Sequence, residues 1–135
     1  MTEPALLKPM LYRKEGTGAD SAHPALLGGE CTCGYVFFPM QTYGCERCGG
    51  TNLAPRVLSG RGKLLASARI HLHAGKNRQA PFTVVSVALD DGPIVRTLLE
   101  ADADVHPGDR MVTVLAPVLD AEGAHRLDLR FTPQV

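Results

Sequence analysis

From residue 56 onward, apolar and polar side chains alternate in short runs broken by turn residues. In KLLASARIHLH (63–73), Leu64, Ala66, Ala68, Ile70 and Leu72 fall on one side, and Ser67, Arg69, His71 and His73 on the other. A period of two predicts a strand with one covered face. FTVVSVALDDGPIVRTLLE (82–100) reads as two strands around Asp91-Gly92, a strong hairpin signal. The first of these is apolar on both faces, which predicts cover on both sides. HPGD (106–109) is a turn leading into RMVTVLAPV (110–118). AEG (121–123) is another turn, and in HRLDLRF (125–131) Leu127, Leu129 and Phe131 alternate with Arg126, Asp128 and Arg130. Five strands with short turns and hardly any helix predict a small closed barrel of the OB type, which removes exposed edges, with a small sandwich as the alternative.

Ahead of the barrel the pattern changes twice. Residues 1–23 have no period. Pro4, Pro9, Gly16 and Gly18 break any long helix, yet Leu6, Leu7, Met10, Leu11 and Tyr12 are too many apolar side chains for a spacer. This segment is expected either to fold back on its own chain or to lie as an arm on a partner. Residues 24–55 hold all four cysteines, and the expected organisation is a tail (1–23), a ribbon (24–55) and a barrel (56–135).

The cysteines fall as Cys31-x-Cys33, eleven residues, then Cys45-x-x-Cys48, with Gly34 and Gly49 directly after each pair. Two short loops giving two thiolates each meet the tetrahedral demand of one structural zinc ion. The glycines suit loops that turn tightly under a metal, because glycine reaches positive φ without penalty and lets backbone N–H groups point at sulfur. The spacer GYVFFPMQTYG (34–44) is expected to form a hairpin joining the loops. Disulfides do not suit a reducing cytosol, and a redox Cys-x-x-Cys lacks its usual βαβ setting. A module of this size has little core of its own, so the metal is expected to drive its folding. His23 reads as a solvated loop residue.

Composition narrows the function. Among 135 residues, 14 Lys and Arg balance 14 Asp and Glu, and 44% are apolar. A neutral chain is a poor match for nucleic acid or an anionic membrane. No apolar run approaches the roughly 18 residues of a membrane span, and the N-terminus has no leader pattern, so the expectation is a cytoplasmic protein. Single-strand binding on an OB barrel is the alternative reading. It needs aromatic platforms and a basic groove, whereas residues 56–135 carry ten basic and nine acidic side chains and only Phe82 and Phe131, which read as core. The loop HAGKNRQA (73–80), with Arg69 and His71 before it, is either a phosphate contact or a solvated connection. No serine sits in a nucleophile elbow, and Asp90-Asp91 reads as a turn rather than a carboxylate pair. The glycines of GRG (60–62) are too few for a phosphate loop.

The order CTCGYVFFP…CERCGG, GRGKLLASARIH, PFTVVSVALDDG and VHPGDRMVTV, over residues 24–132, resembles the zinc-ribbon/OB-fold acyl-CoA-associated proteins. The chain departs from that family's usual first Cys-x-x-Cys by one residue, which tightens the first loop. The resemblance implies a non-catalytic subunit with one structural zinc on Cys31, Cys33, Cys45 and Cys48. It implies a thiolase-like partner in a 2+2 hetero-oligomer, the partner carrying the catalytic residues, and acyl-CoA at a shared site. Within the family, the length also resembles the small zinc subunits of thiolases that cleave benzoylsuccinyl-CoA in anaerobic aromatic degradation. On this reading Arg69, Lys76 and Arg78 are candidates for CoA contact. Tyr35, Phe37, Phe38 and Met40 either face the partner or pack between ribbon and barrel.

Overall fold

The computed structural model describes residues 4–18, 20–71, 81–101 and 103–134. Its strands are β1 (Ala5–Leu6), β2 (Leu26–Cys31), β3 (Val36–Phe37), β4 (Leu53–Leu58), β5 (Arg61–Ile70), β6 (Phe82–Leu89), β7 (Ile94–Leu98), β8 (Arg110–Leu119) and β9 (His125–Pro133). No helix occurs among the described residues, and none is long and apolar enough to cross a membrane. The five strands expected between residues 63 and 131 are β5 to β9.

One sheet runs β1-β9-β8-β5-β6-β7 and the other β3-β2-β4. The larger sheet curls until its far side meets itself. Leu99, just past β7, bridges Phe131 of β9 in parallel, and the Glu100 N–H donates to the Phe131 carbonyl at 2.8 Å. The order β5-β6-β7-β9-β8 with a parallel closure is that of an OB barrel. Its core is Leu64, Val85, Val87, Leu89, Met111, Leu129 and Phe131. The hairpin signal at Asp91-Gly92 is the β6–β7 turn, where Gly92 takes φ 123°.

The ribbon is not a separate bead. β2 starts and β4 ends inside the barrel core, through Leu26 and Leu58, both fully buried. β4 therefore runs through the expected boundary at residue 55. Thr113 fixes the junction: its hydroxyl donates to the Pro24 carbonyl at 2.6 Å and its N–H donates to the Gly60 carbonyl at 2.9 Å.

The tail folds back on its own chain. β1 adds to β9 in parallel, Tyr12 bridges Leu26, and the Leu27 N–H donates to the Leu11 carbonyl. Tyr12 is buried, and its hydroxyl donates to Asp128 Oδ1 at 2.7 Å. The polar side of β9, which alternation predicts to face water, is thus covered where Asp128 sits. A second expectation fails on β5. Among the described residues of its predicted apolar face Leu64 is buried, Ala66 and Ala68 are exposed and Ile70 is half-buried, while Leu72, with His73 of the opposite face, lies outside the described residues. The cause is a bulge at Leu65: Leu64 pairs with Val87, but Ala66 pairs with Ser86. One extra residue reverses the phase of every side chain after it.

Candidate metal centre

The first cysteine loop turns where β2 ends. The Gly34 N–H donates to the Cys31 carbonyl at 2.9 Å, and Gly34 takes φ 97°. The second loop repeats the device: the Gly49 N–H donates to the Cys45 carbonyl at 2.9 Å, and Gly49 takes φ 78°. Each glycine after a cysteine pair thus occupies the left-handed region that an L side chain avoids. The spacer does not form its own hairpin. Val36 and Phe37 instead pair back onto Glu30 and Gly29 of β2.

The four Sγ atoms all lie within 4.8 Å of one another, an arrangement that could hold a metal ion. Cys31 and Cys48 sulfurs are 3.6 Å apart, and those of Cys33 and Cys45 are 3.7 Å apart. Four thiolates about 2.3 Å from a central zinc have a tetrahedral edge of about 3.8 Å, so the spacing fits such an ion. No disulfide joins them. Cys31 and Cys45 are buried, whereas Cys33 and Cys48 are exposed, so the centre sits at the surface with one thiol of each loop turned inward.

The backbone is arranged for negative sulfur. The Cys48 N–H points at Cys45 Sγ from 3.5 Å, and the Gly50 N–H points at Cys48 Sγ from 3.3 Å. For Cys45, burial opposes ionisation, but the Cys48 and Arg47 N–H groups and the neighbouring thiols outweigh it and bring the thiol down to about 6. For Cys48 the Gly50 N–H favours the thiolate, but the three other cysteines prevail and push it up to about 11. The two thiols shift in opposite directions, as titrating groups in contact do.

The aromatic residues of the ribbon divide. Phe37 is buried, stacked on Tyr35 with ring centroids 6.0 Å apart, and lies over Gly29, where a Cβ would strike its ring. Its own ribbon covers most of Phe37, and what remains exposed lines the groove between ribbon and barrel. Met40 also lies against Gly29 and is half-buried. Tyr35 and Phe38 are half-buried and, with Glu46, Pro93 and Ile94, line a groove of about 320 Å3 between ribbon and barrel. Ile94 is 60% exposed there, a residue that the sequence pattern did not single out.

Of the expected CoA contacts, Arg69 is described, and Lys76 and Arg78 fall outside the described residues. Arg69 borders a cleft of about 390 Å3 with Ser67, Thr83 and Asp104. An adjoining cleft includes Glu100. Two carboxylates so near make the cleft a mixed rather than a purely cationic surface. His23 is not a free loop residue: its Nδ1 lies 2.8 Å from Asp20 Oδ1. Asp90 and Asp91 diverge as a turn requires, Asp90 to the Arg110 guanidinium and Asp91 to the Ser59 N–H and hydroxyl. Phe131 is core, as expected, while Phe82 is only half-buried.

No family model matches the sequence. Among solved structures, the chain is similar to a chain of the Ltp2-ChsH2(DUF35) aldolase, with a TM-score of 0.68 and 22% sequence identity. The likeness covers 82% of this chain and 86% of that one. At this identity it is a likeness of fold.

Proposed function

We propose that this protein is a non-catalytic, zinc-binding subunit of a two-component enzyme that acts on acyl-CoA thioesters. The observation that carries the reading is the union of a four-cysteine ribbon and an OB barrel in a single body, like the chain from the Ltp2-ChsH2(DUF35) aldolase. Cys31, Cys33, Cys45 and Cys48 hold one zinc that fixes the ribbon against the barrel. The ribbon–barrel groove at Tyr35, Phe37 and Phe38 receives the partner, with Met40, which lies against Gly29 as Phe37 does, as a further contact. That partner has a thiolase-like fold, supplies the nucleophile, and assembles with this chain in a 2+2 complex in the cytoplasm. Benzoylsuccinyl-CoA is the acyl substrate to try first.

The described side chains support an accessory role. Each serine hydroxyl with a hydrogen bond serves structure: Ser59 donates to Asp91, and Ser86 accepts from Arg96. All four cysteines belong to the cluster.

The test is co-purification of the tagged chain from its host, with partner identification and zinc analysis of the same sample. A thiolase-fold partner at equal stoichiometry, with one zinc per copy, is expected. A zinc-loaded chain that elutes alone, or with single-stranded nucleic acid retained at low salt, would overturn the reading.

A further inference from the structure

The four sulfurs differ in a way that holding a metal does not use. Cys31 and Cys45 are 4% and 5% exposed, whereas Cys33 and Cys48 lie open to water. Two contacts between the loops match one kind with the other. Cys48 Sγ lies 3.6 Å from Cys31 Sγ, and Cys33 Sγ lies 3.7 Å from Cys45 Sγ. Each exposed sulfur thus has a buried one from the opposite loop against it. A cysteine that meets small oxidants in water, with a second cysteine poised behind it, is the arrangement of peroxide-sensitive thiols. A disulfide is about 2.05 Å long, so each pair has roughly 1.6 Å left to close.

We propose that the cluster is a modification site for peroxide: hydrogen peroxide converts it into two disulfides, Cys31–Cys48 and Cys33–Cys45, and frees the metal. The Cys48 thiolate attacks one peroxide oxygen. An S–O bond forms, the O–O bond breaks and hydroxide leaves, so Cys48 becomes a sulfenic acid. The Cys31 thiolate then attacks the Cys48 sulfur. The S–S bond forms, the S–O bond breaks and a second hydroxide leaves. Two thiolates and one peroxide have become one disulfide and two hydroxides. The sulfurs give up two electrons and the peroxide takes them. Cys33 and Cys45 repeat the sequence with a second peroxide. All four thiolate charges are then gone, and the cluster no longer holds a dication. Return to the starting state takes a dithiol reductant and free zinc.

Both disulfides join residues 31–33 to residues 45–48, as the metal does. The oxidised ribbon tip therefore stays closed, unlike a tip stripped of metal under reducing conditions. Pairing within the loops, Cys31 with Cys33 and Cys45 with Cys48, would leave them unjoined. Glu46, between Cys45 and Cys48, lines the ribbon–barrel groove, which places the modified sulfurs beside that surface. The inference rests on the zinc-binding part of the function proposed above, and on neither its partner nor its substrate.

The test takes the full zinc-loaded chain, freed of reductant, and adds hydrogen peroxide in steps. Zinc is measured before the first step, and its release is followed with a colour-forming chelator too weak to strip the untreated chain. Peptide mass mapping reads the sulfur pairing. Cleavage after Tyr35 and Arg47, with fragmentation between Cys31 and Cys33, separates the three possible connectivities. Two peroxides should release one zinc, with Cys31–Cys48 and Cys33–Cys45 as the dominant pairs. Amide dispersion over residues 31–50 should persist, and dithiothreitol with zinc should restore the loaded chain. Within-loop pairs, a melted tip, sulfinic acids in place of disulfides, or zinc retained at about tenfold excess of peroxide would each overturn the inference. A chain without zinc before the first step fails the zinc reading instead, and the connectivity still decides this one.

Discussion

The ribbon and the barrel are built from strands of the same kind, but different forces hold them. The barrel has a shared apolar interior in which Leu64, Val85, Val87, Met111 and Phe131 are almost wholly buried. The outer ribbon buries little besides Phe37 and two cysteines, and β3 is only two residues long. What organises its tip is a pair of tight loops whose sulfurs converge within 4.8 Å. A small module can replace a core with a metal, and its stability then belongs to the metal equilibrium rather than to buried area. The base of the ribbon is different again, since Leu26 and Leu58 belong to the barrel core. The contrast therefore divides the ribbon along its own length.

The largest effect should come from the metal. Cys48→Ser, or removal of the ion by a strong chelator, is expected to melt both cysteine loops and β3. β5 to β9 and the base of β2 and β4 should remain folded. Metal analysis should fall from the one zinc per chain proposed above to near none. Amide NMR should lose dispersion for residues 31–50 and keep it for 82–101 and 110–133. If the barrel unfolds as well, the two regions form one cooperative unit and the comparison fails.

The converse experiment strikes the barrel. Phe131 is fully buried and carries the closing bridge to Leu99. Phe131→Ala should cost about 3–5 kcal/mol from lost transfer energy and the cavity left behind. Denaturant titration measures this, and folded molecules should still bind metal at the wild-type stoichiometry. Cysteine thiolates that bind zinc equally well in the unfolded variant would show that the ribbon tip needs no barrel.

These regions also differed in how legible they were. The cysteine spacing and the two following glycines predict the cluster, because metal geometry constrains few residues over a short span. The five barrel strands were legible because turn residues separate clean alternations. The bulge at Leu65 was not, since nothing in KLLASARI marks which residue is the extra one, and one slip reverses the face of Ala66, Ala68 and Ile70. The covered side of β9 was also hidden. HRLDLRF predicts Asp128 in water, but the tail, 116 residues earlier at Tyr12, lies over it. Pairings across such separations leave no local pattern. His23 likewise gave no sign of Asp20 as its partner, and nothing in the groove-lining sequence singled out Ile94.

The tail sharpens the contrast through a polar contact. Burial, the hydrogen bond to Asp128 and the repulsion of that carboxylate all push the Tyr12 phenol well above its ordinary value near 10. Asp128 also pairs with Arg130 at 2.9 Å, so removing one donor leaves a buried carboxylate still partly satisfied. Tyr12→Phe is expected to cost about 2 kcal/mol at neutral pH. Above pH 10, unfolded Tyr12 releases its proton while the folded residue keeps it. The unfolded state then binds fewer protons, and stability falls as pH rises. The phenylalanine variant lacks this slope, so its deficit should shrink between pH 9 and 11 in denaturant titrations. A deficit constant over that range would mean that the phenol is not held in its neutral form.

The smallest effect lies on the barrel surface. Arg110 grips Asp90 through two hydrogen bonds of 3.0 and 2.7 Å, and these hold the Asp90 carboxyl below its ordinary value near 3.8. Both side chains are nearly half exposed, so water and salt screen the pair. Arg110→Gln should therefore cost no more than about 0.5 kcal/mol at pH 7. The pair's contribution is present above the ordinary carboxylate value and is lost as pH falls through the depressed one. The wild type and the variant should accordingly converge in acid, and also at about 1 M salt, where the Debye length is near 3 Å. A cost of several kcal/mol would instead show that Asp90 and Arg110 clamp the β6–β7 turn against the start of β8. The barrel would then depend, like the ribbon, on a few polar contacts at its surface, and the division between a core-held and a ligand-held region would no longer describe the molecule.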